Sequence, residues 1–259
     1  MEGPVTLLSA AEGGPVAVEN AEGASPVVIV CEHASRTLPE SLGTLGLSPE
    51  ALLSHIAWDP GALAVSRYMA QSLDATLVHQ RFSRLAYDCN RPPESPGAMP
   101  ETSEVYAVPG NAALSHEARA ARVEALYFPF HREIDALLRA RLAAGVMPVL
   151  VTVHSFTPVY FGKPRAVEVG ILHDEDARLA DGMLSAAEKA ARYDIRRNAP
   201  YGPEDGVTHT LKLHGLANRL PNVMIEVRND LIADDNSQRV MADYLTGLLR
   251  ESLQSMSKQ

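Results

Sequence analysis

Short apolar runs rich in β-branched residues recur along the chain, and they predict the strands of a sheet. These runs are Pro26–Cys31, Ala75–His79, Met147–Val153, Ala166–Leu172 and Val223–Val227. Runs of this length without polar alternation are typical of strands covered on both faces, as in parallel sheets. A weaker run, Pro15–Val18, predicts an edge strand.

Segments with helical periodicity lie between these runs. The predicted helices are Gly61–Leu73, Ser115–Ala143, Glu175–Arg192 and Asn236–Leu253. Asp59 and Pro60 predict the N-cap and first turn of the first helix. Pro129 predicts a kink or a split in the second helix, because proline cannot continue the backbone hydrogen bonds. The proline-rich stretch Arg91–Gly110 predicts a long loop, and loops of this length are usually functional or mobile.

Strands that alternate with helices indicate an α/β fold with a mostly parallel sheet covered on both faces. We expect residues 26–259 to form a single domain, and residues 1–25, which are rich in Ala, Glu and Gly, to form a flexible N-terminal arm. In such sheets, binding sites form at the carboxyl ends of the strands. Polar residues that follow the strands are therefore the candidates for function.

Composition narrows the classes of function. Of 259 residues, 46% are hydrophobic, which is enough for a sizeable core. The formal net charge of −9 and the absence of a basic run argue against nucleic acid or an anionic membrane as a partner. We find no apolar run of the ~20 residues that a membrane helix needs, and no signal-peptide pattern. Two cysteines, Cys31 and Cys89, do not make a disulfide framework, so we expect a soluble protein of the reducing cytoplasm.

Two histidines at strand ends predict a zinc site. His33 follows the first buried strand and His154 ends another, so both side chains could reach one point. Imidazole is a common zinc ligand, and a catalytic zinc usually has three protein ligands and one open position. Asp59 is our preferred third ligand. Glu32 is the alternative, although neighbours on an extended strand point to opposite faces. Each residue alone also has a structural interpretation, so the prediction depends on their combination.

The segment from Asp88 to Arg91 predicts a carboxylate-binding element. Arg91 offers a planar fork that matches a carboxylate, Asn90 can add a donor, and Asp88 can orient Arg91 or close the loop. The structural alternative is a loop that is held together by its own Asp and Arg.

Glu226 is a carboxylate within an apolar strand, where burial is costly unless the group is paired or functional. Beside a zinc site it could act as general base towards water and then protonate a leaving amine. The structural alternative is an ion pair with Arg228, which lies two residues further on the same face of the strand.

Six stretches together resemble the N-formylglutamate amidohydrolase family. They are Val30–Ser35, Trp58–Ala62, Ser83–Pro92, Val153–Pro158, Gly206–Gly215 and Ile225–Asp230. The resemblance implies a three-layer α/β/α sandwich, similar to zinc carboxypeptidases and aspartoacylase-like deacylases, with one zinc ion. It also implies hydrolysis of a linear amide, as in the deformylase reaction of histidine catabolism that converts N-formyl-L-glutamate and water to formate and glutamate.

The resemblance also implies roles for particular residues. In the wider fold, the element matched by Asp88, Asn90 and Arg91 binds a substrate carboxylate, and Glu226 matches the catalytic glutamate. Arg84 matches an arginine that polarises the substrate carbonyl. We therefore expect a small acidic N-acyl amino acid as the substrate. The Gly/Pro-rich loop further along adds three candidate pocket residues, Tyr201, Thr208 and His214.

Two departures from the family pattern indicate a divergent branch. Arg36 stands where the wider fold has the glutamate of a His-x-x-Glu metal motif, and Glu32-His33-Ala34 stands where members from histidine catabolism have Pro-His-Ser. The acyl group or amino acid could therefore differ. Three alternatives stay open: a zinc deacylase of another N-acyl amino acid or small peptide, a non-catalytic binder of carboxylates, and a metal-independent Ser or Cys hydrolase. The last lacks a Gly-x-Ser-x-Gly elbow.

Overall fold

The computed structural model describes residues 6–257, and its centre is a seven-stranded sheet. The strands are β1 (Val16–Glu19), β2 (Val27–Cys31), β3 (Thr76–Gln80), β4 (Val149–Phe156), β5 (Val169–Leu172), β6 (Ile195–Arg197) and β7 (Asn222–Arg228). They lie in the order β1-β3-β2-β4-β7-β5-β6. The pairs β1/β3 and β5/β7 are antiparallel, and the other neighbours are parallel. The sheet is therefore mixed but mostly parallel.

Helices cover both faces of this sheet. They are α1 (Pro49–Leu53), α2 (Ala62–Leu73), α3 (His116–Arg122), α4 (Phe128–Ala143), α5 (Arg178–Ala190) and α6 (Asp235–Met256). One face, which includes Ile29 and Val151, packs against α2, α5 and α6. The other face, which includes Val30 and Leu150, packs against α4. Successive side chains of a strand point to opposite faces. The uniformly apolar strands therefore contribute side chains to the hydrophobic core on each face of the sheet. The predicted three-layer α/β/α fold is confirmed.

The bounds of several elements differ from the prediction. β4 continues to Phe156, so that His154 lies inside the strand and not after its end. The reason is its ladder with β7, in which His154 is opposite Glu226 and Phe156 is opposite Arg228. β6 was not predicted. Neither were two small hairpins, Thr102–Ser103 with Tyr106–Ala107 and Val159–Tyr160 with Lys163–Pro164, the first of which lies within the predicted loop.

The predicted helix Ser115–Ala143 is divided ahead of Pro129. A π-helical turn spans Val123–Tyr127, between α3 and α4. Proline has no N–H to donate, and its ring clashes with the carbonyl four residues earlier in a regular α-helix. The wider turn changes the register of that carbonyl and lets the chain continue in the same direction. The predicted interruption is thus confirmed, and it takes the form of a π-helical turn.

Asp59 does not cap α2, and this prediction was wrong. Gly61 occupies the N-cap position with a φ of 80°, and no side chain caps this end. The Asp59 carboxylate is used elsewhere, since its Oδ2 accepts a hydrogen bond from the backbone N–H of Ser155 at 3.2 Å. The backbone N–H of Asp59 donates to the carbonyl of His33 at 2.9 Å. The loop before α2 is therefore tied to the ends of β2 and β4.

The N-terminal part contains the predicted edge strand. It forms one residue later than predicted, as β1, and pairs with β3 at the edge of the sheet. The division into an arm over residues 1–25 and a domain over residues 26–259 stays a prediction. Cys31 and Cys89 are both free and buried. Within residues 6–257, no helix combines the length and apolar character needed to cross a membrane.

We predict that Gly61→Ala destabilises the protein more than Gly145→Ala does. Both glycines have positive φ, 80° and 78°, which costs an L-residue about 1–2 kcal/mol. A Cβ at Gly61 would also lie 2.5 Å from the carbonyl oxygen of Ile232, whereas nothing lies within 4 Å of one at Gly145. The added overpacking should cost about 1–3 kcal/mol more. Urea unfolding of both variants measures the difference, and equal losses would contradict the close contact at Gly61.

Candidate functional site

Three buried ligand atoms converge at the carboxyl ends of β2 and β4. Nδ1 of His33 lies 3.2 Å from Oδ2 of Asp59 and 3.2 Å from Nδ1 of His154. Nδ1 of His154 lies 3.0 Å from the same oxygen of Asp59. This group could hold a metal ion. The structure thus brings the two predicted histidines together with Asp59, the preferred third residue, whereas Glu32 lies on the far side of His154.

The outer nitrogen of each imidazole faces a second carboxylate. Nε2 of His33 lies 2.7 Å from Oδ1 of Asp88, and Nε2 of His154 lies 3.1 Å from Oε2 of Glu32. The Asp88 contact is a hydrogen bond that the carboxylate can only accept, so it favours a proton on Nε2 of His33. The Glu32 contact is not aligned as a hydrogen bond, but the negative charge close to Nε2 of His154 favours a proton there as well. In a neutral imidazole, Nδ1 then carries a lone pair. Nδ1 of both rings points into the centre of the group, next to Oδ2 of Asp59.

The carboxylates of this group stay ionised. Burial opposes the ionisation of Asp59, but the two imidazoles outweigh burial and hold its pKa below the usual range. The pKa of Asp88 is well below its usual value for the same kind of reason, with Arg84 as the largest opposing influence to burial. Burial also opposes protonation of His154, yet Glu32 and Asp59 raise its pKa well above the ordinary value. The group therefore attracts positive charge.

Glu226 lies beside this group on β7, opposite His154 in the ladder with β4. It is buried, and within residues 6–257 its Oε2 has no hydrogen-bond partner. Burial raises the pKa of Glu226 to about 7. The alternative ion pair does not form, because Nε of Arg228 lies 2.8 Å from Oδ1 of Asp230 instead. A buried carboxyl group of this pKa is suited to accept and return a proton near neutral pH.

Arg84 contacts Asp88, the carboxylate behind His33, and also lines the cavity. Its Nη2 lies 2.6 Å from Oδ2 of Asp88, and its Nη1 lies 3.4 Å from Oδ1 of Asp59. The side chain remains 28% exposed. Asp88 therefore contacts His33 and Arg84 in the protein, and these contacts, not a substrate, occupy both of its oxygens. This differs from the substrate-binding role predicted for Asp88, whereas Arg84 faces the cavity as expected.

Arg91 and Asn90 line the same cavity. The Asn90 side chain is held by the loop after β6, since its Nδ2 donates to the carbonyl of Val207 at 2.5 Å and its Oδ1 accepts from the N–H of Thr210 at 3.1 Å. Arg91 donates from Nη1 to the carbonyl of Asn90 at 2.9 Å. In the part of the chain that the structure describes, Arg91 has no carboxylate partner. Its guanidinium is thus available to an anionic ligand.

The cavity has a volume of about 360 Å³, within the range of small-molecule sites. Tyr201 lines it, as predicted. Thr208 and His214 do not, and their assignment to the pocket was wrong. The chain becomes helical after Val207, which turns these side chains away: Thr208 Oγ1 donates to Oδ2 of Asp174 at 2.5 Å, and His214 Nε2 lies 2.9 Å from Nδ1 of His131 on α4.

The cavity is also lined by residues that were not predicted. Nε2 of His55 lies 3.0 Å from Oε2 of Glu104, and burial lowers the pKa of this histidine below its usual value. Oε1 of Glu104 accepts a hydrogen bond of 2.7 Å from the N–H of Phe161, which links the tips of the two hairpins. Phe156 and Asp205 also line the cavity. No local pattern marks these residues, because only tertiary contacts bring them to the site.

Comparisons with known proteins agree with this arrangement. A family model described as N-formylglutamate amidohydrolase matches residues 25–233. The crystal structure of a gene product of Agrobacterium tumefaciens is 57% identical, with a TM-score of 0.95 over 97% of this chain and 99% of that chain. The crystal structure of N-formylglutamate amidohydrolase from Ralstonia eutropha JMP134 is 19% identical, with a TM-score of 0.65 over 95% and 100% of the two chains. The second likeness is one of fold. A search of curated proteins found no match.

We predict that the buried pair His131–His214 makes the protein sensitive to acid. Burial lowers the pKa of His131 to about 3 and that of His214 to about 4. In the unfolded chain both titrate near 6.5. Below this pH the unfolded state binds more protons than the folded state, so the free energy of unfolding should fall by about 1.4 kcal/mol per pH unit for each histidine, down to the folded pKa.

The test is urea unfolding at pH 7.5 and pH 5. His214→Gln, which keeps a donor for His131, should lose less stability between these pH values than the wild type. His116→Gln replaces an exposed histidine and should behave like the wild type. Equal pH dependence in all three proteins would contradict the role of the buried pair.

Proposed function

The chain belongs to the N-formylglutamate amidohydrolase family and is a hydrolase acting on amide bonds, and we propose that it is a zinc-dependent deformylase of N-formyl amino acids. N-formyl-L-glutamate is the first substrate to test. The reaction adds water across the amide, so that the C–N bond breaks and formate and the free amino acid are released. A cytoplasmic location and a place in histidine catabolism stay predictions.

One observation carries this proposal: three electron-rich atoms meet where only a cation or shared protons could hold them. Nδ1 of His33, Nδ1 of His154 and Oδ2 of Asp59 lie 3.0–3.2 Å apart. Ligand atoms at the ordinary zinc distance of about 2.1 Å in a tetrahedral arrangement are separated by about 3.4 Å. Two imidazoles and a carboxylate also form a donor set that suits zinc. The residues present thus fit a bound zinc ion.

His33, Asp59 and His154 would hold this ion. When bound, a zinc ion supplies a Lewis acid for the amide carbonyl and lowers the pKa of water. Asp88 positions His33 through its contact with Nε2, and such outer contacts orient a ligand and raise its basicity. Asp88 therefore acts on the ligand and not on the substrate.

The protein groups around the ligands supply the proton transfers. Glu226 takes the proton of the attacking water and delivers it to the leaving nitrogen. Its burial and its raised pKa suit both steps. Arg84 faces the cavity and stabilises the negative charge that develops on the carbonyl oxygen, a contribution that is often the largest in such sites.

Arg91 binds the carboxylate of the amino acid. It lines the cavity, and its only side-chain hydrogen bond within residues 6–257 is to a backbone carbonyl, which leaves the planar fork for a bidentate contact. Asn90 holds the loop that carries Arg91, because its amide is bonded to Val207 and Thr210.

A second candidate is the deformylation or deacylation of an amino acid without an acidic side chain. The observation that favours it is the charge at the cavity wall, where Glu104 and Asp205 are acidic. Glu104 already pairs with His55, so this histidine offers little attraction to a second carboxylate. Turnover of N-formyl-glutamate, N-formyl-glutamine and their N-acetyl counterparts distinguishes the two candidates.

The direct test is zinc content together with formate release, in the wild type and in His154→Ala. We expect one zinc per chain in the wild type, and loss of both zinc and activity in the variant, because two ligands hold zinc far less tightly than three. Retention of zinc and activity by the variant would refute the proposed site.

Glu226→Gln is the matched variant for the chemical step. It should retain zinc, since Glu226 is not among the three converging residues, and lower kcat by about 10²–10⁴-fold, the usual contribution of a general acid–base group. Loss of zinc from this variant, or activity within threefold of the wild type, would contradict the role of Glu226.

We predict that Arg91→Ala lowers kcat/KM for an N-formyl amino acid by about 10–150-fold, because a charge-assisted hydrogen bond contributes about 1.5–3 kcal/mol. The same substrate with its carboxylate converted to an amide should lose as much with the wild type, and should lose nothing further with the variant. Arg139→Ala, a change of an exposed arginine on α4, is the control. Equal, additive losses from the two changes would show that Arg91 does not bind the carboxylate.

A further inference from the structure

Glu32 is a buried carboxylate that the proposed reaction leaves without a role. It follows β2, its side chain is inaccessible to solvent, and within residues 6–257 neither carboxylate oxygen has a well-aligned hydrogen bond. Its ion-pair partner in this part of the chain is His154, through the 3.1 Å approach of Oε2 to Nε2. A buried carboxylate costs several kcal/mol unless it is well paired. The hydrogen bonds of the fold therefore do not account for a glutamate at this position.

The position of Glu32 excludes a place among the converging ligand atoms. The chain turns at Glu32 and His33, so these neighbours reach opposite sides of the His154 ring. His33 approaches Nδ1 of His154, and Glu32 approaches Nε2. The two nitrogens of an imidazole lie on opposite flanks of the ring. Glu32 therefore acts behind His154, at the nitrogen that faces away from the site.

We propose that Glu32 is a positioning residue, whose carboxylate holds the proton of His154 on Nε2 and so directs the Nδ1 lone pair to the metal ion. The inference rests on the proposed zinc site. Without Glu32, the Nδ1–H tautomer of His154 could donate to Asp59, 3.0 Å away, and that tautomer cannot bind a metal through Nδ1. Glu32 thus selects the tautomer that leaves the site open to a cation.

The contact with His33 follows the same pattern. Asp88 faces Nε2 of His33 as Glu32 faces Nε2 of His154, so each imidazole is held from behind by its own carboxylate. The two differ in their other partners. Asp88 also binds Arg84, whereas His154 is the ion-pair partner of Glu32 in the described chain. Glu32 is the better test, because changing it disturbs fewer other contacts.

The experiment measures the dissociation constant for zinc by competition with a chromogenic chelator. Glu32→Leu is close in volume and cannot accept a hydrogen bond, and Glu32→Gln keeps a neutral acceptor. Loss of such an outer carboxylate typically weakens metal binding by about 10–100-fold. We expect the largest loss in Glu32→Leu and a smaller loss in Glu32→Gln. The rise in melting temperature that zinc produces should shrink in the same order.

Thr152→Val is the matched control. Thr152 lies on β4 two residues before His154, and its buried hydroxyl has no partner within residues 6–257. This variant tests a change of buried polarity on the same strand, and it should bind zinc like the wild type. Wild-type affinity in Glu32→Leu, or an equal loss in Thr152→Val, would overturn the role of Glu32. If the wild type binds no zinc, the proposed function fails instead.

A second measurement needs no variant at Glu32. ¹⁵N NMR of the imidazole nitrogens in the zinc-loaded wild type should show His154 with a protonated Nε2 and a metal-bound Nδ1. Binding of zinc through Nε2 would overturn the proposal. This result does not depend on whether either Glu32 variant folds.

Discussion

The structure depends on one electrostatic constraint, the convergence of Nδ1 of His33, Nδ1 of His154 and Oδ2 of Asp59 at 3.0–3.2 Å inside the protein. Three such atoms repel one another unless positive charge lies between them. Carboxylates behind the two imidazoles strengthen the constraint, because they favour protons on the outer nitrogens. The surroundings therefore concentrate negative charge around a point that is suited to a divalent cation.

The sheet supplies the geometry that satisfies this constraint. β2, β4 and β7 are parallel neighbours, so their carboxyl ends meet at one edge. The ladder between β4 and β7 places Glu226 opposite His154, which puts the proposed base next to a proposed ligand. Asp59 comes from a loop that is hydrogen-bonded to both strand ends. Buried strands thus fix His154 and Glu226, while loops and hairpins contribute other residues of the cavity wall, such as Glu104 and Tyr160.

The sequence was sufficient for the layers of the fold and for residues at strand ends. His33, His154 and Glu226 stand in or directly after apolar runs, and the meeting of parallel strands at one edge made their proximity predictable. The Asp-Pro pattern wrongly predicted Asp59 as the N-cap of α2. A local pattern cannot show that the side chain instead accepts a hydrogen bond from Ser155 on a strand distant in sequence. Residues far apart in the chain gave no signal, as with the pair His55 and Glu104. His214 was misplaced because its segment proved helical and not a loop.

The most direct test of the metal site is anomalous X-ray diffraction from crystals of the active protein, measured above and below the zinc absorption edge. A single zinc peak should lie about 2.0–2.2 Å from Nδ1 of His33, Nδ1 of His154 and Oδ2 of Asp59. Crystals that turn over substrate but show no anomalous peak there, or show the peak at other residues, would contradict the central role of this group.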